Sequence, residues 1–338
     1  VPEADPGVNR GEVREVDVLT AERVPAAAAP ARRRADLDVL CAAAPSLPAL
    51  ALPVTEFEVL HGGLTNHNYR VRDARGARLM ARFWSREAAE LSIDREAEFR
   101  NATIAADAGI APRILGHSPE HGVTLVEWID GRTFASADLD DSANLGRVAA
   151  ACAALHAGPR FVADFDMFTI QSRYRAIVGE RGFRIPEHYD RYLGRVDEVR
   201  SALAVDQVDT VPCHNDLLAA NIMDTGDRLW LIDFEYSGNN DPFFELGNLW
   251  AEAELAPSRL EDLVTAYVGR PAPSKVARAR LFAVLAQYGW TLWAAIQSAV
   301  SEVDFDFWSW GMAKYERARQ TFDGPEFTQL IYDVTQTD

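Results

Sequence analysis

Four residues of the chain have the types and spacing that phosphoryl transfer to a hydroxyl requires: His214, Asp216 and Asn221, in the pattern H-x-D-x4-N, and Asp233. That reaction needs few parts. One carboxylate accepts or orients the hydroxyl proton, and hard oxygen ligands hold Mg²⁺ against the phosphates of a nucleotide. Asp216 suits the first task; the amide oxygen of Asn221 and the carboxylate of Asp233 suit the second. An aspartate followed by an asparagine five positions later is the spacing of a kinase catalytic loop. The bare pattern also arises by chance. In the competing reading Asp216 caps a turn and Asp233 merely ends a strand. His214 is expected to brace the loop by hydrogen bonding, and Cys213 beside it to fill a small buried space.

The elements around these residues must bring them together. Asn221–Met223 and Arg228–Phe234 read as two strands joined by the turn Asp224-Thr225-Gly226-Asp227, which returns Asp233 beside Asn221. Upstream, Thr55–Leu60, Tyr69–Val71 and Arg78–Phe83 read as three short antiparallel strands. Asp73-Ala74-Arg75-Gly76 forms a hairpin signal between the last two. A helix is expected over Ala88–Ala108, ended by Gly109, then strands over Arg113–Gly116 and Val123–Trp128. After Gly131 the pattern is mostly helical, with segments at Ala137–His156, Thr169–Val178 and Pro186–Leu203, and helices return from Phe243 to Phe322. The fold class is therefore α+β. Residues 1–50 are an N-terminal extension with one short helix over Arg32–Ala44, 51–130 a small β-rich lobe, and 131–338 a larger helical lobe. A cleft between the lobes is the expected site.

The small lobe carries candidate nucleotide residues. Gly62-Gly63-Leu64-Thr65-Asn66 lies between the first two strands, where backbone N–H groups could meet phosphates. The third strand should supply a cation. Only Lys275 and Lys314 are lysines, so Arg82 is the candidate, with Glu96 or Glu98 on the following helix as its ion-pair partner; the competing reading is an Arg82 that merely faces solvent. His61 and His67 flank the glycine loop and are read as loop residues.

Composition limits the remaining possibilities. With 34 basic and 51 acidic residues the net charge is −17, which argues against nucleic acid or an anionic membrane as partner and tolerates a cationic or metal-bound ligand. Cys41, Cys152 and Cys213 are too scattered for a disulfide framework or a zinc knuckle. Leu281–Ser301 carries no formal charge, but its polar residues and mid-segment tryptophans mark a helix packed inside the protein. The sequence shows no signal peptide, and a cytoplasmic location is expected.

Taken together, Gly63-Leu64-Thr65-Asn66, His214-Asn215-Asp216 to Asn221 and Leu231-Ile232-Asp233-Phe234-Glu235-Tyr236 resemble the choline/ethanolamine kinase family, over residues 57–322. The resemblance implies a protein-kinase-like bilobal fold and the use of ATP and Mg²⁺ to phosphorylate a small cationic amino alcohol. It implies Asp216 as the base, Asn221 and Asp233 as metal ligands, and Arg82 paired with Glu98. It makes Leu125–Ile129, with Glu127 and Ile129, the hinge whose backbone meets adenine, and puts Glu235 near the metal.

A quaternary ammonium cannot donate a conventional N–H hydrogen bond. It is best held by aromatic faces, at about 0.5–2 kcal/mol each, and by a carboxylate. The family pattern carries these roles to Tyr236, Glu252, Trp290 and Trp293, with Trp310 where the family has tyrosine. The bland alternative is that these tryptophans are core. Choline is the expected substrate. Ethanolamine, an aminoglycoside or another small alcohol on the same fold is the alternative, and a catalytically silent amine-binding protein is a reading from a different class.

Overall fold

The computed structural model describes residues 29–60, 66–84, 93–301 and 303–338. The first described element is helix α1 (Ala29–Ala43). Strands β1 (Glu56–Leu60), β2 (Asn66–Arg72) and β3 (Arg78–Trp84) follow, then α2 (Arg95–Asp107), β4 (Ile114–Ser118) and β5 (Val123–Glu127). The five strands form one antiparallel sheet in the order β1-β2-β3-β5-β4. The β2–β3 hairpin falls where the sequence signals it. The buried Asp73 carboxylate accepts hydrogen bonds from the N–H groups of Arg75 and Ala77 at 2.8 and 2.9 Å, which organises the turn. Leu40, Ala43 and Leu47, from α1 and the turn after it, pack into the same apolar cluster as Phe57, Tyr69 and Phe83 of the sheet. The small lobe therefore begins before residue 51.

The helix expected over Ala88–Ala108 is described from Arg95. Its N-cap Asp94 accepts from the N–H groups of Glu96 and Ala97, and the acids Glu96 and Glu98 in its first turn suit the helix dipole.

The large lobe begins with β6 (Arg132–Thr133), α3 (Ser142–His156), α4 (Met167–Arg181) and α5 (Leu193–Leu203). Next come β7 (Val211–Cys213), β8 (Ile222–Asp224), β9 (Leu229–Leu231) and β10 (Gly238–Asn240). It ends with α6 (Pro242–Glu252), α7 (Pro257–Val268), α8 (Pro273–Val300), α9 (Phe307–Asp323) and α10 (Glu326–Asp333). The β8–β9 hairpin pairs as expected, but β9 stops at Leu231 because Asp233 adopts φ +71°, outside extended geometry. Three strands escaped sequence reading: the two-residue β6, and β7 and β10, each three residues long, which pair antiparallel on either side of the His214 loop.

The uncharged stretch lies in α8, buried continuously from Leu281 to Gln297, and among the described residues no helix is long and apolar enough to cross a membrane. Helix α6 starts at the N-cap Asp241 followed by Pro242, and Asp241 also pairs with Arg278 of α8 at 2.6 Å. Midway along α6, Gly247 lets the two helices approach closely. A Cβ there would collide with the backbone carbonyl of Ala279. Gly247→Ala is therefore expected to destabilise the protein by about 1–3 kcal/mol, read as a lower urea midpoint. An unchanged midpoint would show that α6 and α8 can separate without cost.

Candidate active site

The loop after β7 is held in place by its own neighbours. Asn215 has φ +66°, a conformation that short polar side chains tolerate best. Its buried amide donates to the carbonyls of Tyr236 and Gly238 at 3.0 and 3.2 Å and accepts from Asn240 at 2.9 Å. His214 donates through its backbone N–H to Glu245 at 3.0 Å and through Nε2 to the carbonyl of Ile232 at 2.8 Å. That second bond fixes the tautomer, and burial keeps the ring's pKa below its ordinary value, so His214 braces the loop as a neutral imidazole. Asn221 donates from its amide to the carbonyl of Asp216 at 2.8 Å, which leaves its amide oxygen as the acceptor. The carboxyl of Asp216 sits at the floor of the cleft. Its enclosure pushes its pKa well up, the charges of Glu235, Asp233 and Glu252 push it further, and Lys314 opposes them.

Arg82 projects from β3 to the large lobe. Its guanidinium lies 2.5 Å from Asp233, 3.2 Å from Glu98 and 3.3 Å from Glu235. Arg95 pairs with the same Glu98 at 2.7 Å and with Glu235 at 3.4 Å. Burial alone would weaken the charge on Arg82, but the three carboxylates more than offset it and hold the guanidinium ionised. Burial and the charge of Asp233 raise the pKa of Glu235, with Arg82 opposing. Glu96, the other candidate, turns away to Arg100 at 2.7 Å.

The remaining nucleotide candidates divide. Gly63, Leu64 and Thr65, with His61, lie outside the described residues. Asn66 opens β2 and donates to Glu235 at 2.9 Å, joining the same cluster. Glu127 ends β5 with its carboxylate on Arg113 at 3.0 Å, and Ile129 lies in the connector that runs to the large lobe.

The five expected amine-site residues gather where α6, α8 and α9 meet the segment after Asp233. Trp293 donates from Nε1 to the Tyr236 hydroxyl at 2.8 Å, and Trp290 to the Asn248 side chain at 3.1 Å. The Tyr236 ring packs edge-on to Trp290 at 5.1 Å, and Trp293 likewise to Trp310 at 5.6 Å. Glu252 closes the group and is held by Lys314 through both carboxylate oxygens, at 2.5 and 2.6 Å. Beside this group, between α2 and α4, opens a cavity of about 380 Å³ whose lining includes Asp94, Glu98, Asp164, Asp166, Glu235, Tyr236 and Arg173.

Sequence reasoning missed Glu245, Arg95 and Lys314. Glu245 is an acid flanked by apolar residues on a buried helix, and it takes the N–H of His214 and Nε2 of His156 at 2.8 Å. That isolation among apolar residues was the available signal. For Lys314 the signal was its place one turn after Trp310, in a chain that otherwise uses arginine.

A β-rich small lobe followed by a mostly helical large lobe makes this a protein-kinase-like bilobal fold. Residues 57–259 match the family described as choline/ethanolamine kinase, and the chain belongs to that family. It is similar to a choline/ethanolamine kinase family protein from Mesorhizobium loti, at 30% identity and a TM-score of 0.77, covering 89% of this chain and 99% of that one. The choline kinase LicA from Streptococcus pneumoniae is similar at 26% identity and a TM-score of 0.72, over 84% of this chain and 98% of that one. Among curated relatives, Protein LicA of Haemophilus influenzae is 27% identical over 61% of this chain, and ethanolamine kinase 2 of Mus musculus 26% identical over 68%. These matches span 61% and 66% of the relatives' own lengths.

The bonds of Asn215 give the loop its shape. Asn215→Ala would leave the carbonyls of Tyr236 and Gly238 without this donor and remove from a positive-φ position the short polar side chain that tolerates it. The expected loss is about 2–4 kcal/mol of stability in chemical denaturation. A loss below 0.5 kcal/mol (about the size of an ordinary surface substitution) would show that the loop is held by other contacts.

Proposed function

We propose that the protein is an ATP- and Mg²⁺-dependent kinase that phosphorylates the hydroxyl of a small cationic amino alcohol. The observation that carries this reading is the convergence of Asp216, Asp233, Glu235 and Asn221 at the cleft floor, with Arg82 reaching them from the small lobe. The donor set is carboxylate and amide oxygen, which fits a hard dication. Asn221 and Asp233 would hold the metal, and Glu235 lies beside them. When bound, the dication neutralises phosphate charge. Arg82 and the segment from Gly63 to Asn66 are assigned to the phosphates, Glu98 to holding Arg82, and the backbone of Glu127 and Ile129 to adenine. Asp216 takes the proton of the substrate hydroxyl.

The acid-lined cavity beside Tyr236 supports a cationic acceptor, since a field of one sign raises the local concentration of the opposite charge. Tyr236, Trp290, Trp293, Trp310 and Glu252 are the residues assigned to the ammonium group. Choline is the first substrate to test, with ethanolamine beside it, because relatives bearing both names match the chain.

ATP turnover measured against choline, ethanolamine and an aminoglycoside panel is expected to rise with an amino alcohol. Stimulation by aminoglycosides alone would sink the amino-alcohol assignment. Asp216→Asn is expected to lower kcat by about 10²–10⁴-fold. Because the pKa of Asp216 is raised, its proton stays on to a higher pH than for an ordinary aspartate. The kcat/KM of the wild type should therefore fall as pH drops through a limb above the usual aspartate range. A rate that holds steady into acid, or survives in Asp216→Asn, would remove Asp216 as the base.

A further inference from the structure

Lys314 is buried, and it stands one helical turn after Trp310 on α9, so the two side chains share a face. Its Nζ lies 2.5 and 2.6 Å from the two oxygens of Glu252 and 4.0 Å from the centre of the Trp310 ring. An ammonium group supplied by the protein thus already makes the ion pair and the cation–π contact that the amine pocket would offer a substrate. Glu252 and Lys314 together are neutral. A buried ion pair gains little stability over apolar residues of similar volume, so its main consequence is for what the pocket can accept.

We propose that Lys314 is a resident ammonium that competes with the substrate for Glu252 and the Trp310 face, and thereby sets the pocket's selectivity among amino alcohols. This rests on the amino-alcohol kinase reading above. An incoming ammonium must displace Nζ from Glu252. A primary ammonium returns N–H donors to the carboxylate; a quaternary ammonium has none to return. The resident lysine therefore weighs more heavily against choline than against ethanolamine.

The test is binding of tetramethylammonium to the full chain, followed by tryptophan fluorescence, alongside KM for choline and ethanolamine. Lys314→Met is expected to bind tetramethylammonium at least tenfold more tightly than wild type, with Lys314→Gln shifting the same way. KM for choline should drop more than KM for ethanolamine, with kcat changing less than either. The double variant Lys314→Met/Glu252→Gln should lose that gain, since the freed carboxylate is gone. Melting curves establish that each variant is folded, and Lys314→Gln carries the test if Lys314→Met does not fold. Equal or weaker tetramethylammonium binding in the folded variants overturns the proposal and makes Lys314 a strut. Absence of ATP turnover with every amino alcohol would instead overturn the kinase reading, and the fluorescence titration would still decide the competition.

Discussion

The two lobes meet through a buried guanidinium. Arg82 belongs to the small sheet, yet two of its three carboxylate partners, Asp233 and Glu235, belong to the large lobe. A charge taken out of water must be paired, and removing one partner of a buried pair costs about 3–5 kcal/mol. That cost fixes β3, α2 and the segment after β9 against one another. The pairing is also incomplete in sign. Asp216, Asp233, Glu235 and Glu98 are four carboxylates in one neighbourhood, against the two guanidinium groups of Arg82 and Arg95. Burial first, and the crowding of these carboxylates after it, raises the pKa values of Asp216 and Glu235.

Backbone geometry delivers those carboxylates. Asn215 and Asp233 both sit at positive φ, one just before Asp216 and the other just after β9. Such conformations cost about 1–3 kcal/mol and persist where the surroundings over-determine them. For Asn215 the surroundings are three backbone and side-chain partners. For Asp233 the partner is Arg82, so the interaction that joins the lobes also holds the bend that ends β9. Glu245 adds a third restraint from below. Although burial pushes its pKa up, His156 and the N–H of His214 hold Glu245 below the usual carboxylate range, so it stays ionised against the loop.

Much of this was legible in the residues. Hairpins at Asp73–Gly76 and Asp224–Asp227 are local, because turn chemistry and flanking alternation lie within a few residues of each other. The Asp216, Asn221 and Asp233 set was readable because its spacing is short and the hairpin between its parts closes it. Arg82 emerged by elimination, since the region holds no lysine. What stayed hidden depends on contacts distant in sequence. Arg82 and Glu235 are separated by 153 positions, and Lys314 and Glu252 by 62, so no local pattern marks them as neighbours. The strands β7 and β10 are three residues each, too short to show alternation. Helix α1 looked like part of an extension because its alanines and arginines gave no clear apolar face; only the sheet it covers reveals one.

The proposed amine pocket joins an uncharged helix to charges carried by its neighbours. Between Leu281 and Val300 α8 carries no formal charge, and the indole N–H groups of Trp290 and Trp293 are among its few polar groups, with Gln287, Thr291 and Gln297. Each N–H is already bonded, one to Asn248 and one to Tyr236, which fixes both buried rings in orientation. Gly311 on α9 lets that helix approach α8 so closely that a Cβ would collide with Ala294, and this brings Trp310 against Trp293. Charge then enters only from neighbouring elements, as Glu252 at the end of α6 and Lys314 on α9. Glu252 and Lys314 are both largely buried, so water and salt screen their interaction less than they would at the surface. In the proposed reading, the selectivity of the pocket turns on which ammonium Glu252 holds.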